Sequence, residues 1–235
     1  MLSYENRPAM GQNSSTTSNV LPLSASPPPS SKTTNGTSAD KSQSSSSHSH
    51  IWLVTGPAGC GKSTVAQYIA DALKLPFIEG DEALVPPPAN VEKMSKGIPL
   101  TDADRWDWLT TLREEALRQL VDSGSQGVVL TCSALKRKYR DVIRVAPYYS
   151  HNVRLHFVYL HASEEVLIQR VGARKGHYMG ANMVKSQFGI LEAPTADETD
   201  VISVDVSGTV EEVERDALAA IRQAVEEESA RDLED

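Results

Sequence analysis

Cysteine is scarce in this chain of 235 residues, which contains only Cys60 and Cys132. Both lie within predicted core segments rather than at a spacing typical of disulfide pairs, which argues against a disulfide-stabilised secreted scaffold. The N-terminus also lacks the compact apolar region of a secretory signal, and it is too poor in arginine for a typical transit peptide. These features predict a reduced, cytoplasmic protein.

Long apolar runs and basic clusters of the nucleic-acid-binding type are also missing. No apolar stretch approaches the length of a membrane span. The formal net charge is −8, and the first 49 residues carry two acidic against three basic side chains, so the acidity lies in the remainder. An acidic domain without a polybasic run is a poor candidate for binding nucleic acid or a membrane surface. We therefore expect neither kind of partner.

The first 49 residues have too little apolar surface to offset the entropy of ordering a chain. They are rich in Ser, Thr, Pro, Asn and Gly, with runs such as Ser26–Ser30 and Ser44–Ser47. Such a composition predicts disorder. We expect a disordered tail over 1–49, one folded domain over 50–228 and a flexible C-terminus over 229–235.

Apolar runs and helical patterns alternate along the folded part. Strands are predicted at 51–55, 77–78, 127–132, 155–160 and 201–206, and helices at 63–73, 102–122, 136–145, 164–170 and 183–191. A last helix is predicted from the capping-box pattern that begins at Thr209. This order predicts an α/β fold with three layers, in which helices cover both faces of a five-stranded parallel sheet. Ligands of such sheets bind at the carboxyl ends of the strands.

A phosphate-binding loop follows the first predicted strand. Residues 56–63 fit the pattern G-x-x-x-x-G-K-[ST], in which backbone N–H groups surround a phosphate. Lys62 would reach the β and γ phosphates, and the Ser63 hydroxyl would help to hold Mg²⁺. The helix that starts here adds the positive end of its dipole. The predicted nucleotide-binding residues are Gly56, Pro57, Ala58, Gly59, Cys60, Gly61, Lys62, Ser63 and Thr64.

The loop alone leaves the reaction open among GTPases, motor ATPases and kinases. No Asn/Thr-Lys-x-Asp motif is present, which weighs against a GTPase. The third strand ends at Thr131 and Cys132 without the carboxylate that motor ATPases use to hold the magnesium shell. These absences favour a compact ATP-dependent kinase. Asp81, just past the second strand, could then accept the proton of a substrate hydroxyl or bind Mg²⁺ through water, although it could also be a turn residue.

Two basic clusters stand out in the acidic domain. Lys136 and Arg140 lie four residues apart on one predicted helix face and suit an anionic substrate group, whereas Arg137 and Lys138 fit a solvated face. The second cluster, Arg170, Arg174, Lys175 and His177, flanks Gly172 and Gly176. It is predicted to form a mobile lid whose Arg174 stabilises the charge of the transferring phosphoryl group, with His177 equally compatible with a plain surface position.

At this point the chain resembles the gluconokinase family, from about residue 51 to 225. The phosphate-binding loop and the Gly80-Asp81 pair match in order and spacing, and so do several further blocks. These include Asn90–Met94, Asp104-Arg105, Cys132-Ser-Ala-Leu-Lys136, Ala173-Arg-Lys-Gly-His177, Gln187-Phe188 and Asp197–Asp200. The Cys132 and Ala173 blocks set the chain apart from shikimate and adenylate kinases.

The resemblance implies transfer of a phosphoryl group from ATP to D-gluconate, giving 6-phospho-D-gluconate for the pentose phosphate pathway. It also implies a fold like that of nucleoside-monophosphate kinases, a lid around Arg174 and a homodimer. Carried over, the catalytic residues are Lys62, Asp81 and Arg174, with Mg²⁺ held by Ser63 and partly by Asp81 through water. The implied substrate residues are Asp81, Asn90, Lys93, Arg105, Lys136, Arg140, Lys175 and His177.

One loop departs from the family pattern. After the Gly-Asp pair the family usually has x-x-His-Pro, two residues and Asn, whereas here residues 82–89 add two positions and contain no histidine. Two alternatives therefore stay open at the level of sequence. One is a kinase for another small sugar acid or polyol, and the other is a nucleotide-binding protein with reduced catalysis.

Overall fold

A computed structural model describes residues 48–80, 92–93, 98, 100–173 and 181–234. These residues form five strands, β1 (Ser49–Thr55), β2 (Phe77–Ile78), β3 (Gly127–Thr131), β4 (Val153–His161) and β5 (Val201–Asp205). The described helices are α1 (Lys62–Leu73), α2 (Asp102–Ser123), α3 (Arg137–Ile143), α4 (Ala146–Tyr149), α5 (Glu164–Ala173), α6 (Ala181–Phe188) and α7 (Val210–Asp232). Among them, no helix is both long and apolar enough to cross a membrane.

The five strands form one parallel sheet in the order β2-β3-β1-β4-β5. Strand β1 is central. After β1 the chain forms β2 and β3 on one side of it, and after β3 it crosses to form β4 and β5 on the other side. This reversal opens a crevice at the carboxyl end of β1, which is where open α/β sheets bind their ligands. The predicted α/β fold with a five-stranded parallel sheet is confirmed.

Alternate residues of the strands pack against different helical layers. In β1, Trp52 and Val54 belong to the core that contains α1, α5, α6 and α7. Ile51 and Leu53 belong to the opposite core, which contains α2, α3 and α4. The period-two alternation of a strand therefore places a buried hydrophobic layer on each face of the sheet, which produces the three-layer architecture.

Threonine capping boxes start the two longest helices. Thr101 accepts the N–H of Asp104 at the start of α2, and Thr209 accepts the N–H of Glu212 at the start of α7. In both cases the acidic side chain bonds back to the backbone N–H of the threonine. Each reciprocal pair satisfies backbone donors that the helix itself cannot use. The capping box predicted at Thr209 is confirmed.

Several boundaries differ from the sequence expectations. Strand β1 begins at Ser49, the last residue assigned to the tail, because Ser49 is in register with Val153 of β4. Helix α7 continues to Asp232, where Arg154 pairs with that carboxylate, so most of the segment expected to be a flexible C-terminus is helical. The helix expected over 136–145 is shorter in the structure, where it is α3, and the short α4 follows after residue 145.

Candidate active site

The phosphate-binding loop joins β1 to α1 through three glycines with positive φ. These angles are 141° at Gly56, 86° at Gly59 and 89° at Gly61, a region that side chains rarely occupy. A Cβ atom at Gly56 would lie 2.3 Å from the backbone oxygen of Leu160 in β4. The loop therefore needs glycine both for its backbone conformation and for its close approach to the sheet.

Lys62 begins α1 and turns its ammonium group back over the loop. Its Nζ atom donates to the carbonyl oxygens of Gly56 at 3.0 Å and Pro57 at 3.1 Å. Gly61 is the residue that precedes the helix, so no side chain at that position caps the first backbone N–H groups. Those donors and the helix dipole favour an anion at this point, with the exposed Ser63 and Thr64 in the same first turn.

Cys60 lies inside the loop rather than on its ligand side. Its side chain is 1% exposed and belongs to the core between the sheet and α1. Burial raises the pKa of the Cys60 thiol, so the thiol is protonated and packs as a small hydrophobic group. Cys60 therefore contributes its backbone, not its sulfur, to the phosphate-binding loop.

A cavity of about 410 Å³ lies at the same carboxyl edge of the sheet. It is bounded by α2, by the segment that follows β3, and by α6. One hydrogen bond ties this cavity to the end of β1, because the Thr55 hydroxyl donates to the carbonyl oxygen of Ser133 at 2.8 Å. Its polar and aromatic lining includes Asp102, Arg105, Trp108, Ser133, Lys136, Tyr139, Ser186 and Gln187.

Two predicted substrate residues, Arg105 and Lys136, line this cavity together. They lie over the same Tyr139 ring, with the Arg105 guanidinium carbon 5.4 Å and the Lys136 Nζ atom 5.8 Å from its centre. Arg105 also donates to the carbonyl oxygen of Leu100. These two cations are far apart in the sequence, and the fold brings them together on one wall of the cavity.

Asp102 balances part of this positive charge. Its carboxylate accepts hydrogen bonds from Lys138 and from the Tyr139 hydroxyl, and the Lys136 Nζ atom lies 3.9 Å from it. The hydrogen bond from Lys138 is the main reason that the pKa of Asp102 is lowered to about 2. Desolvation by burial is the main reason that the pKa of Tyr139 is raised to about 12, and the hydrogen bond to Asp102 adds to the effect. At neutral pH the Asp102 carboxyl is therefore ionised and the Tyr139 hydroxyl keeps its proton, and the carboxylate of Asp102 pairs closely with Lys138 and more loosely with Lys136.

Arg140 requires a correction, because the structure places it in the interior and not at the cavity. Its side chain is 2% exposed, and its Nε and Nη2 atoms donate to both oxygens of Glu198 at 2.7 and 2.6 Å. Its Nη1 atom donates to the carbonyl oxygen of Glu192 at 3.0 Å. The helical spacing from Lys136 was misleading because α3 begins only at Arg137, so Lys136 has an extended backbone and the two side chains do not share a face.

Two further cations that the sequence singled out, Lys93 and Arg137, pair with carboxylates outside the cavity lining. Lys93, expected to contact substrate, donates to both carboxylate oxygens of Asp104 at 2.7 and 2.9 Å, and it does not line the cavity. Arg137 pairs with Asp197 at 2.6 Å, in line with the solvated position expected for it. Lys93 therefore acts near the start of α2 rather than in the cavity wall.

Five predicted site residues fall outside the described part of the chain. These are Asp81, Asn90, Arg174, Lys175 and His177, and the altered loop 82–89 lies there as well. Their roles stay predictions.

The structure adds two features that sequence patterns did not single out for the site. Ala134, which lines the cavity and is 4% exposed, has a φ of 28°, an unusual value for a residue with a side chain. Gln187 accepts the backbone N–H of Ala58 in the phosphate-binding loop at 2.6 Å and also lines the cavity. The only sequence signal for either residue was its place in a family block.

Comparison with known proteins agrees with this architecture. The family model described as an AAA domain matches residues 51–189. A protein of Schizosaccharomyces pombe named "Probable gluconokinase" is 47% identical over 180 residues, which cover 77% of this chain and 92% of the relative. The thermoresistant gluconokinase of Escherichia coli is 38% identical over 174 residues, which cover 74% and 94%.

A solved structure extends the likeness to three dimensions. The crystal structure of a gluconokinase from Sinorhizobium meliloti 1021 is 41% identical and superposes with a TM-score of 0.67. The match covers 79% of this chain and 98% of that one. Residues 51–189, which the family model matches, contain the phosphate-binding loop and most of the cavity lining. The chain therefore belongs to the gluconokinase family of P-loop kinases.

Proposed function

We propose that this protein transfers the γ-phosphoryl group of ATP to D-gluconate and releases 6-phospho-D-gluconate and ADP. The observation that carries the proposal is the position of a cavity lined by Arg105 and Lys136 at the same sheet edge as the phosphate-binding loop. D-Gluconate is a polyol with one carboxylate, and a cavity with two cations and several hydrogen-bonding groups suits both parts. The gluconokinase relatives support the same substrate.

In the proposed reaction, the loop holds the phosphates of ATP while the cavity holds the acceptor. The 6-hydroxyl oxygen attacks the γ-phosphorus, its proton passes to Asp81, and the bond to the β–γ bridging oxygen breaks to release ADP. Lys62 and Arg174 offset the charge that spreads over the phosphoryl oxygens. The Ser63 hydroxyl, with Asp81 through water, would hold Mg²⁺, which supplies further positive charge to the β and γ phosphates.

A coupled assay of ADP release tests this proposal. We expect turnover that requires both D-gluconate and Mg²⁺, and we expect Lys62→Ala to lower kcat by about 100-fold or more because it removes the charge at the loop. Lys185→Ala is the matched control, since Lys185 is exposed on α6 and does not line the cavity. Turnover with shikimate, a nucleoside monophosphate or another sugar acid, but none with gluconate, would contradict the substrate assignment.

The cytoplasmic location and the homodimer expected from the sequence stay predictions. Size-exclusion chromatography with light scattering measures the second directly, and a mass of one chain would contradict it.

A further inference from the structure

Gln187 lines the cavity, and its side chain is also hydrogen-bonded to the phosphate-binding loop. It lies near the end of α6, and Met183, Ser186 and Ile190 from the same segment also line the cavity. Its Oε1 atom accepts the backbone N–H of Ala58 at 2.6 Å. One side chain therefore spans the place where the phosphoryl donor and the acceptor must meet.

The bond to Ala58 fixes the orientation of the Gln187 amide. A backbone N–H can only donate, so the oxygen of the amide must face Ala58 and the NH₂ group must face the other way. Ala58 is 5% exposed, so turning the amide round would leave its N–H group without an acceptor in a buried place. The described contacts include no hydrogen bond from the Nε2 atom of Gln187 to another described residue. The amide thus has fixed donors on a side chain that lines the cavity.

We propose that Gln187 is an acceptor-binding residue whose NH₂ group donates to hydroxyl oxygens of the sugar acid. This inference rests on the proposed function, and it assigns to Gln187 a task that the cations do not perform. Arg105 and Lys136 suit the carboxylate of the acceptor, whereas a neutral amide suits its hydroxyl groups. The hydrogen bond to Ala58 fixes the position of that amide relative to the phosphate-binding loop.

Two substitutions separate the donor role of Gln187 from its link to the loop. Gln187→Met keeps the length of the side chain but removes both the donors and the acceptor. Gln187→Glu keeps an oxygen for the Ala58 N–H group but removes the donors and adds a negative charge. Gln169→Glu is the control for the charge, because Gln169 is exposed on the neighbouring α5 and does not line the cavity.

The experiment measures binding of D-gluconate and of a non-hydrolysable ATP analogue to the full chain by calorimetry, together with the KM of each substrate and the melting temperature. We expect both Gln187 variants to weaken gluconate binding by about tenfold or more, because each leaves substrate hydroxyls without their donor. In Gln187→Met, binding of the ATP analogue should change by less than about threefold. Gln169→Glu should match the wild type in both.

Three results would overturn the inference. Wild-type gluconate affinity in Gln187→Met would show that the donors are not used. A loss confined to Gln187→Glu would show only charge repulsion. An equal loss of gluconate and ATP-analogue binding in Gln187→Met, with a lower melting temperature, would show that the residue only supports the loop. If the wild type itself neither binds nor phosphorylates gluconate, the proposed function fails instead.

Discussion

Gly80 shows at the level of one residue how closely the site is packed. Its N–H group donates to the Thr131 hydroxyl at 3.1 Å, and its carbonyl oxygen accepts from the indole of Trp108 at 3.2 Å. A Cβ atom at this position would lie 2.0 Å from the backbone oxygen of Thr131. The glycine before Asp81 is therefore set between β3 and the cavity wall with no room for a methyl group.

We predict that Gly80→Ala lowers the free energy of unfolding by about 1–3 kcal/mol, because the backbone of β3 must move to accept the methyl group. Urea denaturation measures the change. Gly172→Ala is the control, since an added Cβ atom there meets nothing within 4 Å in helix α5 and alanine favours helix. Equal stability of Gly80→Ala and the wild type would contradict the packing described above.

Glu198 is the most deeply buried carboxylate among the described residues, with a side chain 1% exposed. The hydrogen bonds from Arg140 are the main cause that lowers its pKa from 4.5 to about 2, and Arg144 adds to the effect. Because the folded-state pKa lies below the unfolded value, the ionised carboxylate stabilises the fold above about pH 4.5. That stabilisation is lost as the pH falls from 4.5 towards 2.

We predict that Glu198→Gln is destabilised by about 3–5 kcal/mol at pH 7, since it leaves Arg140 charged and unpaired in the interior. As the pH falls below 4.5, the stabilities of the wild type and of Glu198→Gln should converge. Thermal unfolding at a series of pH values measures this, with Glu226→Gln on the exposed side of α7 as the control that stays parallel to the wild type. A constant difference between wild type and Glu198→Gln down to pH 2 would contradict the assigned pKa.

Helix α7 illustrates what local sequence determines at the scale of an element. Its start follows from Thr209 and Glu212 alone, and its apolar positions Val213, Ala217 and Ile221 lie on the face that packs against the core with α1. Its end does not follow from local pattern. Arg154, some 78 residues away, pairs with Asp232 and extends the helix into the segment expected to be flexible.

We predict that Thr209→Ala lowers the free energy of unfolding by about 1 kcal/mol, because it removes the cap of α7. In a domain of this size that corresponds to a fall of about 2–4 °C in the melting temperature, which calorimetry resolves. Gluconate kinetics should be unchanged, since the cap lies outside the cavity lining. Thr209→Ser, which keeps the hydroxyl, should retain the wild-type melting temperature, and a loss equal to that of alanine would argue against the cap.

Across the whole molecule, a feature formed by one continuous stretch of sequence was easier to predict than a feature formed by residues far apart in the chain. The phosphate-binding loop is one run of eight residues between a strand and a helix, and the structure has it in that form. The cavity could not be read in the same way, because α2, the segment after β3 and α6 meet only through the folded sheet. Arg140 failed as a substrate residue for the same reason, since its partner Glu198 is 58 positions away.

We predict that a chain beginning at His48 keeps the kcat and KM of the full chain. Strand β1 pairs with β4 from its first residue, Ser49, so all five described strands lie within the shortened chain. The coupled assay and the melting temperature of the two chains provide the comparison. A severalfold change in the KM for gluconate or ATP would assign the first 47 residues a role in the reaction.

The two bonds from Lys62 to the carbonyl oxygens of Gly56 and Pro57 have a consequence for nucleotide affinity. A free lysine side chain loses about 1.5–2 kcal/mol of rotamer entropy when it is immobilised. Here much of that loss is incurred when the chain folds, and one N–H group of the ammonium still remains for a phosphate oxygen. The loop is thus preorganised, so an arriving triphosphate meets a positive charge that is already in place.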